Sequence, residues 1–204
     1  MASRALDDDD VAAYAAAVRR VVAMDDATIA RGLAIVRPRE VKRGDHLLRA
    51  GAKATEVAVV VRGLVREYFL LADGSERTKA LVNETWFTGS LADLLSGAPS
   101  RAYVVAEEAS RLLVAPYAEY RALASRSPAW ERFGRRSLEL LLLRKAEREY
   151  ELLGLDAEAR YAALVARWPE IEARVAARHI ASYLGITPVH LSRLRRRRRE
   201  RRRG

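Results

Sequence analysis

Residues 177–194 read Ala-Arg-His-Ile-Ala-Ser-Tyr-Leu-Gly-Ile-Thr-Pro-Val-His-Leu-Ser-Arg-Leu, and few backbone arrangements satisfy them all. Ile180 and Leu184 stand one helical turn apart and can share a buried face, and Ala181 is small enough for a second helix to cross closely. Gly185 can take the left-handed backbone that ends a helix without a Cβ penalty. Thr187 then supplies an N-cap oxygen, and Pro188 suits the first position of a new helix, where its missing N–H costs nothing. Leu191 and Leu194 mark the buried stripe of that second helix, and Ile186 fills the corner beneath the turn. The spacing predicts two helices joined by a tight turn, with Val189, His190, Ser192, Arg193 and Arg196 turned outward.

An outward face of that composition suits the major groove of duplex DNA. The plainer alternative is a helical hairpin with a solvated basic face. Agreement of small residue, glycine, cap and apolar stripe in one register argues against it. His190 could contact a phosphate or simply be solvated. Eight of the nine residues from Arg195 to Arg203 are arginine, a segment that attracts polyanions unspecifically and in a salt-dependent way. The whole chain carries 37 Lys+Arg against 27 Asp+Glu, a formal charge of +10, which favours nucleic acid or anionic lipid as partner. The tail lacks the interleaved Trp, Phe or Leu that enter a bilayer interface, so no membrane partner is expected.

The remaining chain, half apolar over 204 residues in all, is long enough for two cores. Val11, Tyr14, Val18, Val21 and Val22 follow an acidic cap at helical spacing and predict one or two short helices within 11–36. From Val41 to Val114 short β-branched runs punctuated by glycine predict a small antiparallel barrel or sandwich. Residues 57–61 read as the most buried strand, with 64–71 and 77–82 as its partners and a tight turn at Asp73-Gly74 between the latter two. Ser127-Pro128 opens a helix over 129–153, on which Phe133, Ser137, Leu140, Leu141 and Leu152 can share a broad face. Residues 138–143 are apolar almost all round, so this helix packs either on its own domain alone or also on the same helix of a second copy. In a homodimer Phe133, Leu140 and Leu141 are the expected contacts. Gly154-Leu155-Asp156 ends the helix and caps the next, which runs through Tyr161, Leu164 and Val165 to Trp168-Pro169. The expected division is 1–128, 129–153 and 154–204.

Cysteine is absent, which removes disulfides, thiolate zinc sites and cysteine-ligated clusters and suits the cytoplasm. The start of the chain does not read as a secretory signal, and the longest apolar run is far short of a membrane span. No nucleophile motif, glycine-rich phosphate loop or His/carboxylate cluster with metal spacing is present, so neither an enzyme, a metal nor a cofactor is expected.

A jelly-roll-like barrel, a long connecting helix and a terminal helix-turn-helix, in that order, resemble the Crp/Fnr family of bacterial transcription regulators. The likeness rests on residues 41–51, on Arg62-Gly63-Leu64-Val65-Arg66, and on 180–187 with Leu191-Ser192-Arg193, and spans about 30–199. It implies an α+β chain: an antiparallel β jelly-roll, a dimerisation helix and a winged-helix-like helix-turn-helix. It also implies a homodimer on duplex DNA, with RNA polymerase as a further partner. Arg178, Thr187, Val189, His190, Ser192, Arg193 and Arg196 would contact DNA. Arg193 matches a base-reading arginine and Thr187 a phosphate-contacting cap, whereas Pro188 and Val189 replace an Arg and a Glu of the best-known members, so the operator should differ. In the family a glutamate and an arginine of a short cassette hold the ribose and phosphate of a cyclic nucleotide. The matching positions here are Gly89, Ser90, Ser100 and Arg101: Ser90 replaces the glutamate and Ser100 the arginine. Arg101 stands one position late, facing the other way on a strand unless a bulge near Pro99 resets it. Regulation without cyclic AMP is expected, with the effector unknown. The competing function is a ligand-sensing β-roll whose basic tail binds RNA or anionic membrane without sequence preference.

Overall fold

A computed structural model describes residues 5–201 of the chain. The acidic start becomes α1 (Asp8–Val21), whose cap is a reciprocal pair: the Asp10 N–H donates to Asp7 and the Asp7 N–H to Asp10. Both carboxylates are then held by Arg111, at 3.1 and 2.5 Å. Asp25 caps α2 (Asp26–Leu33) by accepting from the Thr28 N–H at 2.8 Å.

Eight strands follow: β1 (Arg37–Val41), β2 (His46–Leu48), β3 (Glu56–Arg62), β4 (Val65–Leu70), β5 (Glu76–Val82), β6 (Phe87–Thr88), β7 (Tyr103–Ala106) and β8 (Ser110–Pro116), with the short α3 (Leu91–Ser96) after β6. They form two four-stranded sheets, ordered β1-β8-β3-β6 and β2-β7-β4-β5. In the first, Val59 of β3 stands opposite Leu113 of β8 and Val60 opposite Leu112, and all four side chains are buried. The expected pairing of β3 with the two strands that follow it is therefore wrong: β3 pairs with β8 and β6, and β4 and β5 pair in the other sheet. The cause is Gly63, at φ +107, where a Cβ would sit 2.8 Å from the Ser110 Cα. The chain leaves one sheet there and enters the other. The Asp73-Gly74 turn does form, with the Leu71 N–H donating to Ser75 O at 2.9 Å.

After α4 (Tyr117–Ala124), α5 (Pro128–Gly154) runs for 27 residues. Its first turns complete a core: Trp130 and Phe133 pack edge-on at 5.2 Å and join Tyr14, Val18, Ile29, Val59 and Leu113. Phe133, expected to face a second subunit, is thus committed to its own chain, against Phe87, Tyr120 and Trp130. Leu140 and Leu141 are half-buried, while Leu142 and Leu143 are 67% and 65% exposed.

The chain divides into two compact units. One holds the residues up to Glu67 and Leu81–Leu142; the other holds Tyr68–Ala80 and the described residues from Leu143 onward. In the second, α6 (Ala157–Arg167), capped by Asp156, is followed by α7 (Ile171–Arg174), α8 (Ala177–Leu184) and α9 (Pro188–Arg201). Tyr161, Leu164, Ile171, Ile180, Leu184, Leu191 and Leu194 make its core. Among the described residues after Gly154 there is no strand, so the expected wing is not found beside these helices.

Candidate nucleic-acid interface

Gly185 ends α8 at φ +68, and the Ile186 N–H returns to Ala181 O at 3.0 Å, closing the helix as an αL cap. Thr187 Oγ1 then accepts the His190 N–H at 3.2 Å and starts α9. With Leu191 and Leu194 buried, helical periodicity turns Val189, His190, Ser192, Arg193 and Arg196 to the exterior. Thr187, Val189, His190, Arg193 and Arg197 line one concavity of about 290 Å³. Arg178, exposed on α8, donates from Nε to Nε2 of His179 at 3.1 Å. Of the expected DNA contacts, Thr187, Val189, His190 and Arg193 therefore share a surface that Arg178, Ser192 and Arg196 do not line.

The arginine run is not one uniform surface. It continues α9 through Arg201, and Arg195, Arg198 and Arg201 follow the side begun by Leu191 and Leu194, the first two half-buried and Arg201 exposed. Arg195 pairs with Glu172 at 2.5 Å, Arg198 lies 5.7 Å from the Tyr161 ring, and Arg201 pairs with Glu158. Tyr161 in turn donates to Glu172 at 2.8 Å, and burial followed by this carboxylate raises its phenol above the ordinary value. Arg196, Arg197 and Arg199 are left on the exposed side. Arg202 and Arg203 lie outside the described residues.

Within the same unit, Ser182 of α8 completes the edge of β5. Its hydroxyl donates to Glu76 O at 2.9 Å and accepts the Thr78 N–H at 2.8 Å. β5 is the outermost strand of its sheet, so these are backbone groups that no further strand pairs. Arg148 of α5 stacks 4.0 Å over the Tyr183 ring and donates to the Tyr183 carbonyl. Neither contact has a signature in the sequence, because the partners are far apart along the chain.

The cassette between β6 and β7 is closed by its own side chains. Gly89 sits at φ +131, where a Cβ would come within 2.6 Å of Glu56 O. Ser90 takes a left-handed backbone, and it and Ser100 are each only 3% exposed. Their hydroxyl oxygens both lie 2.6 Å from Oδ2 of Asp93, on α3. Ser100 Oγ also accepts the Ala102 N–H at 3.1 Å. Arg101 is exposed and makes no part of this cluster. The neighbouring void, lined by Leu48, Glu56, Thr88, Gly89 and Val104 among others, measures about 60 Å³, far below the roughly 300–1,000 Å³ of ordinary ligand pockets. Asp93 Oδ2 thus accepts from both cassette serines, so neither hydroxyl is left pointing at an anion.

Residues 38–127 match the family described as cyclic nucleotide-binding domain. No curated protein matches the chain in sequence. Among solved structures it is similar to FixK2 from Bradyrhizobium japonicum, at 20% identity and a TM-score of 0.73 over 82% of this chain and 86% of that one. It is also similar to CLP, a c-di-GMP-responsive global regulator of Xanthomonas campestris, at 19% identity and a TM-score of 0.69 over 86% and 92%. The catabolite activator protein of Thermus thermophilus is similar at 23% identity, with a TM-score of 0.56 over 91% and 87%. At these identities the likeness is one of fold.

Proposed function

We propose that this chain, which carries a cyclic nucleotide-binding domain and shares the fold of Crp/Fnr-family transcription regulators, is itself a sequence-specific regulator. It binds duplex DNA as a homodimer and does so without cyclic AMP. The observation that carries this reading is the α8–Gly185–α9 corner, with Arg193, His190 and Val189 on the face opposite Leu191 and Leu194. Laid in a major groove, α9 brings Arg193 to a guanine edge, where its fork meets O6 and N7 together. Val189 offers a methyl contact to thymine; Thr187, Arg178, Ser192 and Arg196 reach toward the backbone, which fixes register without reading sequence.

The dimer follows from α5, where Leu138, Leu142, Leu143 and Leu153 are all exposed in the single chain. Leucines at that density on one helix are covered at little cost by the same helix of a second copy. Two-fold symmetry then sets a pseudo-palindromic operator, with half-sites about 34–36 Å apart. Independence from cyclic AMP is supported by Asp93, whose charge beside Ser90 and Ser100 would repel a cyclic phosphate there, and by the small size of the void next to Gly89.

Sedimentation of the full chain at micromolar concentration should give a dimer, and calorimetric titration with cyclic AMP should give no binding heat. A monomer contradicts the assembly; cyclic AMP binding that tightens the grip on duplex contradicts the regulation.

A further inference from the structure

Apart from the cassette, the first unit contains a larger void of about 550 Å³, walled by β3, β8, α4 and the opening turns of α5. We propose that it binds a neutral, mainly apolar small molecule carrying one hydrogen-bonding group. Its size falls within the range of ordinary small-molecule pockets. Tyr120, Trp130 and Phe133 give it aromatic walls, and Val59 and Leu113 lie at its floor. Its two charged residues, Arg121 and Glu131, are exposed and of opposite sign, so an ionic ligand would find no counter-charge inside.

Of the polar groups in these walls, Tyr120, Ser125 and Trp130 already donate to backbone carbonyls, those of Trp130, Ala122 and Thr28. Ser137 Oγ is buried and has no hydrogen-bond partner among the described residues. A buried hydroxyl left unpaired is costly, and a ligand carrying one donor or acceptor would satisfy it. The occupant is a small molecule rather than a second copy of the chain. Val59, Leu113, Trp130 and Phe133 are between 1% and 6% exposed, so the void reaches beneath the surface where a packed helix face cannot follow. A molecule seated there fastens the stretch from Trp130 to Leu138 of α5 to the sheet. The site stands independently of any DNA-binding role.

Equilibrium dialysis of the full chain against 2-naphthol and naphthalene tests the site. Saturable uptake of one 2-naphthol per chain is expected, with weaker uptake of naphthalene. Ala124→Phe, which puts a ring into the void, should weaken 2-naphthol by about tenfold or more. Ser137→Ala should bring the two probes to equal affinity, a readout that a merely structural effect would not give. Non-saturable partition, or an unchanged preference in Ser137→Ala, would overturn the proposal. So would binding confined to a monomeric fraction, which would mean that a second copy fills the void. If Ala124→Phe does not fold, the Ser137→Ala comparison decides alone. Duplex binding, measured in parallel on Ser137→Ala, should be unchanged, so failure here is distinct from failure of the DNA-binding reading.

Discussion

The α8–α9 corner turns its polar side chains outward, whereas the 89–101 cassette turns its own onto the chain itself. In the corner Gly185, the Thr187 cap and the Leu191/Leu194 stripe leave Arg193 and His190 on the exterior. In the cassette Gly89 still admits the close approach of Glu56, yet Ser90 and Ser100 turn to Asp93 of the same chain. A match over residues 38–127 does not by itself say which ligand the domain takes. Whether a scaffold still works depends on which way its polar groups point.

The corner is held by its apolar stripe. Leu191→Ala, at a fully buried position, should cost about 2–5 kcal/mol and abolish duplex binding, as followed by thermal unfolding and anisotropy. Arg193→Ala should leave stability unchanged and cost roughly 1–3 kcal/mol of duplex affinity, with selectivity relaxed at one base pair per half-site. Asp93→Ala should destabilise by about 1 kcal/mol, because two buried hydroxyls lose a shared acceptor, and leave duplex affinity as it was. A collapse of duplex affinity in Asp93→Ala would make the cassette a working part of the reader. Arg197→Ala should weaken all duplex sequences alike and lower the salt slope by about one.

The smallest effect concerns the first unit, in which burial pushes the Tyr120 phenol up to about 12 and raises Tyr14 as well. The neutral phenol is favoured in the fold, so the stability it gives is complete below about pH 10 and is lost as pH rises through about 12. Tyrosinate absorbance should show Tyr14 and Tyr120 ionising late, with Tyr161 also above the ordinary value. Simultaneous ionisation of every tyrosine near pH 10 in a folded chain would contradict this burial.

The corner was legible because its signals are local: glycine, cap and stripe all fall within one short segment, and each has a stereochemical meaning by itself. The long helix and the Asp73-Gly74 hairpin were legible for the same reason. The partners of β3 were not, because Val59 meets Leu113 only after the chain has crossed between sheets at Gly63. The arginine run showed its charge in the sequence, but not that Arg195, Arg198 and Arg201 meet Glu172, Tyr161 and Glu158 on one side of α9. Asp93 left one usable trace, a carboxylate three residues after Ser90 as in a capping box, although its second serine arrives from beyond α3.

If α9 reads base sequence in duplex DNA, the full chain without cyclic nucleotide should select its own site from a random duplex library. Enrichment of one pseudo-palindrome whose half-sites lie about 10 base pairs apart is expected, with one position per half-site released in Arg193→Ala. Salt-dependent retention of all sequences alike, with no motif enriched, would contradict it and leave the arginine face as an unspecific polyanion surface.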